Sequence, residues 1–252
     1  MYPTRPTRLA RLLLLGAGTY LTAVQPAAAQ SHPTIWQVTL GERNPVTPEL
    51  TTEELQHLLE AHKTPVLDVR SAQEYAIAHI SGTTNLYEKE VEHITRSFPD
   101  KGGALVLYCN GPFCGKSKRL SQELVGRGYT NVKRYQLGLP VWRALGNTVQ
   151  TDLAGARYIL AGDKTAVWVD ARSAADFARG SLSGAVNIRP GEADAANEDG
   201  RLPQKDKGTR VIIFADTPEK ARQVAAEVAH KAYWNSSYFG GSFRDLSAVS
   251  RR

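Results

Sequence analysis

From Thr51 onward the chain alternates short apolar runs with amphipathic stretches. Val66–Arg70 and Leu105–Tyr108 are mostly apolar and too short for helices, which predicts buried strands. In Thr51-Thr52-Glu53-Glu54 a hydroxyl is followed three residues later by a carboxylate, the pattern of a capping box. Leu55, Leu58 and Leu59 follow it on one helical face. Ser117–Arg127 predicts another helix, with Leu120 and Leu124 inward and an end before Gly128. Strands alternating with helices imply a mostly parallel sheet covered on both faces, so the predicted fold class is α/β.

The pattern occurs twice. Pro65-Val66-Leu67-Asp68-Val69-Arg70-Ser71-Ala72-Gln73-Glu74-Tyr75 has a counterpart 102 residues later in Val167-Trp168-Val169-Asp170-Ala171-Arg172-Ser173-Ala174-Ala175-Asp176-Phe177. Ile80-Ser81-Gly82-Thr83-Thr84-Asn85-Leu86 aligns with Leu182-Ser183-Gly184-Ala185-Val186-Asn187-Ile188, and Ala104–Tyr108 with Arg210–Phe214. A duplicated unit of about 100 residues accounts for this and suits ordinary domain size. The expected units are residues 48–148 and 149–252. Residues 149–163 form the linker and the first helix of the second unit.

Residues 1–29 have the form of a secretory signal peptide: Arg5, Arg8 and Arg11, an apolar run from Leu12 to Val24, then Pro26-Ala27-Ala28-Ala29 before a cut. The run is short and interrupted by Gly16, Gly18 and Thr19, against about 20 apolar residues for a membrane span. The expected product is exported, most simply to a bacterial periplasm, with no stable membrane insertion after cleavage. Neither a paired-arginine motif nor a cysteine at the cut is present. Residues 30–47 form a polar lead-in to which the sequence assigns no role.

Composition narrows the function. Hydrophobic residues make up 42% and charged residues 22%, an ordinary globular balance. The net charge of +6 falls to +3 without the three leader arginines, and no basic stripe with interleaved aromatics suggests nucleic acid. Two cysteines exclude a disulfide-stapled scaffold and a cysteine-rich zinc module. His32, His57, His62, His93 and His230 lack metal-ligand spacing.

The chemistry centres on Cys109, which closes the strand Leu105–Tyr108. Asn110-Gly111-Pro112-Phe113-Cys114-Gly115-Lys116 leads from it into the helix. This is where parallel α/β sheets present ligands. A glycine-bearing loop ahead of a helix turns N–H groups and a positive dipole end inward, which favours a thiolate and an anionic substrate. On that reasoning the Cys109 pKa should fall and its sulfur should be nucleophilic. The plain alternative is a small buried hydrophobe. Arg70 shares a strand face with Asp68 and either holds a sulfur oxyanion or forms a structural ion pair, and its recurrence as Arg172 favours the second. Cys114 either meets Cys109 as a redox partner or packs in the loop. His79 is expected at a turn or helix end, and Trp142 and Tyr135 in the core.

These residues resemble the rhodanese sulfurtransferases. Asp68-Val69-Arg70, Glu74-Tyr75, His79-Ile80-Ser81-Gly82 and Asn85 look like the family's first signature. Cys109 looks like the head of its active loop, and Gly128-Tyr129, Val132, Leu137-Gly138 and Trp142 like its closing segment. The resemblance implies a persulfide on Cys109, formed from a small-molecule donor such as thiosulfate and passed to cyanide, a thiol or a protein acceptor, with no cofactor or metal. Asn110, Gly111, Phe113, Gly115, Lys116 and Arg70 would bind the donor. Two departures stand out. Ala215 replaces the cysteine in the second unit, whereas many tandem members keep theirs there. The loop carries about two residues beyond the family's usual six, which bears on the oxyanion that fits. A thiol–disulfide switch using Cys109 and Cys114 and a non-catalytic sulfur-binding module are the alternatives, with a phosphatase or arsenate reductase more remote.

Overall fold

The computed structural model describes residues 46–250. The leader and nearly all of the lead-in lie outside these residues. The first unit runs α1 (Thr52–Ala61), β1 (Val66–Asp68), α2 (Ala72–Ile77), β2 (Thr84–Asn85), α3 (Val91–Ser97), β3 (Leu105–Tyr108), α4 (Gly115–Gly126), β4 (Val132–Tyr135) and α5 (Gly138–Ala144). The second runs β5 (Gln150–Thr151), α6 (Leu153–Gly162), β6 (Val167–Asp170), α7 (Ala174–Arg179), β7 (Val186–Asn187), α8 (Ala193–Glu198), β8 (Val211–Phe214), α9 (Pro218–Ala229), β9 (Ser236–Phe239) and α10 (Phe243–Ser250).

All strand pairs within the two sheets are parallel, in the orders β2-β1-β3-β4 and β5-β9-β8-β6-β7. The orders coincide once the bridge of Glu49 to Arg134 is added, because it occupies the edge that β5 fills in the second sheet. The fold is thus two α/β units, as predicted. The capping box forms: Thr51 accepts from the Glu54 amide, and Glu54 accepts from the Thr51 amide at 2.8 Å. Two boundaries differ from expectation. Strand β1 stops at Asp68 because the Arg70 backbone turns to bond the Asp68 carboxylate at 3.0 Å. Helix α4 starts at Gly115, so the loop after Cys109 is shorter than the sequence suggested.

Strand alternation sorts the core into two layers per unit. Val106 and Tyr108 face one cluster with Leu55, Tyr135 and Trp142, while Leu105, Leu107 and Cys109 face Leu120, Leu124 and Val132. In the second unit Ile212 and Phe214 oppose Val211, Ile213 and Ala215 in the same way. Cys109 and Ala215 therefore hold equivalent places. The backbone agrees: Leu139 N–H donates to the Cys109 carbonyl at 3.1 Å, and Phe243 N–H to that of Ala215 at 2.7 Å.

Part of the junction between units is backbone on backbone. His79 and Gln150 exchange both main-chain hydrogen bonds, at 3.0 and 2.8 Å, and the Asp152 amide donates to Ala76 at 2.8 Å. A Cβ at Gly155 would lie 1.9 Å from the Ala76 carbonyl oxygen, so α6 crosses α2 where no side chain fits. His79 sits at this seam, its ring stacked on Tyr75 at 3.8 Å between centroids.

Candidate active site at the end of strand β3

The loop after Cys109 is folded tightly by its own carbonyls. The Cys114 amide donates back to Gly111 at 2.9 Å, and Gly111 takes a φ of 106° to allow the turn. Gln136, at the end of β4 and buried, donates from Nε2 to the carbonyls of Pro112 at 3.0 Å and Cys114 at 3.1 Å. Its Oε1 lies 3.2 Å from the Ser117 hydroxyl and accepts from Arg134 at 3.1 Å. One amide thus ties the loop to the sheet. Gly138 closes the site from α5: with a φ of 63°, its missing Cβ would lie 2.3 Å from the Gly111 nitrogen.

With the carbonyls held by Gln136, the free N–H groups at the start of α4 meet the two sulfurs. The amides of Lys116 and Asn110 face the Cys114 sulfur. The Ser117 amide and its hydroxyl, at 3.2 Å, face the Cys109 sulfur. Cys109 is fully buried, Cys114 half-buried, and both are free thiols.

The charge lies opposite to the sequence expectation. The Cys109 thiol, donating to it, holds Cys114 down, with help from the Lys116 and Asn110 amides and the Lys116 charge; burial opposes, and the pKa settles at about 6. Donation to Cys114 and then burial push Cys109 up, against the pull of Ser117. The predicted lowering at Cys109 is corrected: the Lys116 and Asn110 amides of the N–H nest face the neighbouring Cys114 sulfur instead. The short loop allowed the two sulfurs to meet, but nothing in the spacing placed Cys114 against the Lys116 and Asn110 amides.

The other predicted residues divide. Arg70 is a buried staple: Nε and Nη2 fork onto Asp68 at 2.9 and 2.5 Å, and Nη2 reaches the Ala78 carbonyl at 2.6 Å. Arg172 makes the same bonds to Asp170 and the Gly180 carbonyl. Only Nη1 of Arg70 turns to the loop, donating to Asn110 at 3.3 Å. Asn110 in turn donates to Glu74 at 2.6 Å. Lys116 stands 3.5 Å from Glu74 and over the Tyr87 ring. Burial opposes it, but Ser71, Asn110 and Lys116 together hold Glu74 ionised, at about 2. Phe113 is 80% exposed at the loop tip and Gly115 begins α4. Ser117 and Gln136 were missed by the sequence reading. Ser117 looked like an ordinary helix start, and Gln136 lies far from the loop in sequence. Among the described residues no three His, Cys, Asp or Glu side chains converge on a metal position.

The second unit keeps the frame without the chemistry. Ala215 is buried where Cys109 stands, and Asp216 and Glu219 follow it.

A model of the rhodanese-like domain matches residues 51–145 and again 157–248. The chain is 33% identical over 94 residues to thiosulfate sulfurtransferase GlpE of Pseudomonas entomophila (strain L48), covering 36% of this chain and 84% of that protein. It is 38% identical over 69 residues to thiosulfate sulfurtransferase PspE of Escherichia coli (strain K12), covering 27% of this chain and 64% of that one. The crystal structure of a thiosulfate sulfurtransferase from Pseudomonas aeruginosa aligns at 19% identity and a TM-score of 0.38, over 81% of this chain and 43% of that one. With two matched regions over most of its length and two sheets of one strand order, the chain belongs to the rhodanese-like family, as a tandem pair of its domains.

Proposed function

We propose that the protein is an exported sulfurtransferase that takes sulfane sulfur from an anionic donor onto Cys109 and passes it to a nucleophilic acceptor. The observation that carries this reading is the set of α4 N–H groups around two thiols at the end of a buried parallel strand. Relatives named thiosulfate sulfurtransferase support the same class of reaction. The leader-like sequence of residues 1–29 supports export.

In the resting site the Cys109 thiol donates to the Cys114 carbonyl at 3.4 Å. Passing that proton to the Cys114 sulfur leaves a Cys109 thiolate facing the Ser117 amide and hydroxyl, and a neutral Cys114. Cys114 then has no electrostatic hold on the Asn110 and Lys116 amides, and the donor oxyanion replaces it there. Cys109 attacks the outer sulfur of a donor such as thiosulfate. The S–S bond of the donor breaks, sulfite leaves with the electron pair, and Cys109 carries the persulfide. Cyanide or a thiolate then attacks the outer sulfur and restores the Cys109 thiolate. Thiocyanate formation from thiosulfate and cyanide tests the reading: wild type should turn over, and Cys109→Ala should not. Full activity in Cys109→Ala would contradict it.

A second reading is favoured by the closeness of the two cysteines, the Cys109 sulfur lying 3.4 Å from the Cys114 carbonyl. Attack of the Cys114 thiolate on the inner sulfur of a Cys109 persulfide forms a Cys109–Cys114 disulfide and expels hydrosulfide. Each cycle then needs a dithiol or two thiols to reduce the disulfide. Sulfide release that disappears in Cys114→Ser, while thiocyanate formation persists, would support this branch.

A further inference from the structure

A cleft of about 350 Å³ opens between the units beside the loop, at the small end of ordinary ligand pockets. Its walls include Arg70, Leu139, Pro140 and Arg143 of the first unit and Arg210 and Trp234 of the second. The Arg143 side chain, on α5, donates from Nη1 to Asn235 at 3.2 Å. Its Nε and Nη2 are buried and have no hydrogen-bond partner among the described residues. A buried guanidinium left without an anion is costly, and such groups are retained where something completes them. Burial, with repulsion from Arg210 and Arg70, draws its pKa down to about 10, so it remains a cation at neutral pH.

The neighbouring charges are already matched. Arg70 is held by Asp68 and Arg210 by Asp163 at 3.0 Å. Glu74 also lines the cleft, but its oxygens are engaged by Ser71, Asn110 and Lys116. That leaves one positive charge to neutralise, which suits a monoanion. Apart from Asn110 the rest of the wall is apolar and includes Leu139, Pro140 and Trp234, the last 54% exposed.

We propose that this cleft binds a small organic carboxylate, with the carboxylate on Arg143 and the apolar body against Leu139, Pro140 and Trp234. The guanidinium fork offers the two parallel N–H groups that a carboxylate accepts. The cleft adjoins the loop after Cys109, since Arg70 and Asn110 also line it, but carboxylate binding on Arg143 needs no reaction at Cys109.

The test is calorimetric titration of the full chain with benzoate, benzamide and sulfate, with tryptophan fluorescence as a second readout. Benzoate should bind saturably and quench Trp234, benzamide should bind at least tenfold more weakly, and sulfate should not compete at equal concentration. Arg143→Met keeps the side-chain length and removes the charge; it should lower benzoate affinity at least tenfold with no drop in melting temperature. Should that variant fail to fold, Trp234→Ala, at an exposed site, provides the second arm: it should weaken benzoate several-fold, leave acetate unchanged and abolish the quench. Absence of saturable benzoate binding, equal binding of benzamide or sulfate, or unchanged affinity in Arg143→Met or Trp234→Ala would overturn the proposal.

Discussion

Gln136 donates from Nε2 to the Cys114 carbonyl at 3.1 Å, and the same carbonyl lies 3.4 Å from the Cys109 sulfur. One buried amide therefore sets both the shape of the loop and the place of its two thiols. Replacing it with a residue of similar size and no hydrogen bonds removes its bonds to the Pro112 and Cys114 carbonyls, the Ser117 hydroxyl and the Arg134 guanidinium. At about 1 kcal/mol for each buried bond lost, Gln136→Met should cost about 2–4 kcal/mol of stability. Melting temperature checks the first effect. Sulfur transfer should fall at least tenfold where the variant is still folded, and unchanged kinetics would show that the loop holds its form without the clamp.

The charge on the thiol pair should be visible in its pH dependence. With its pKa lowered to about 6, Cys114 is a thiolate above that pH and a thiol below it. Limiting iodoacetamide should alkylate Cys114 first at pH 7, with a rate that falls through a midpoint near 6 as the solution is acidified. Removing the acceptor in Cys114→Ala should lower the Cys109 pKa, since its largest upward cause is gone. Peptide mass mapping that finds Cys109 modified first in the wild type would contradict this assignment.

Backbone strain separates the units. Gly128, after α4, has a φ of 94°, and its counterpart Ala232, after α9, is held at a φ of 64°. A residue with a Cβ is disfavoured there, so Ala232→Gly should stabilise the protein by about 0.5–1 kcal/mol. Chemical denaturation measures it, and a destabilised variant would show that the left-handed turn carries no strain.

The seam between units tolerates no side chain at one point. Gly155→Ala places a Cβ against the Ala76 carbonyl, which is backbone and yields little. The expected cost is about 1–3 kcal/mol or more, with easier proteolysis between the units. A melting temperature equal to wild type would mean that α6 and α2 slide apart freely.

The sequence made the frame legible because each strand writes its burial into its residues. The 102-residue offset between Asp68 and Asp170 reappears as two equivalent staples, and Ala215 falls where Cys109 does. Arg70 showed its structural share through its repetition as Arg172. The site was legible only in part. Gln136 and Ser117 act through contacts across the sheet, and spacing along one chain does not report them. The same holds for Arg143, whose side-chain hydrogen-bond partner, Asn235, lies on the second unit. Cys114 was read as a neighbour of the nucleophile, while its place inside the nest follows from the Gly111 turn and the Gln136 clamp. The lowered pKa expected for Cys109 failed for that reason.

The central claim is that Cys109 carries the transferred sulfur. It is tested most directly by incubating the full chain with thiosulfate alone, trapping thiols and persulfides by alkylation, and locating the added sulfur by peptide mass mapping. The account requires one added sulfur on Cys109 in Cys114→Ser, sulfite released in equal amount, and none of either in Cys109→Ser. A sulfur found on Cys114 in Cys109→Ser, with sulfite released to match, would contradict it.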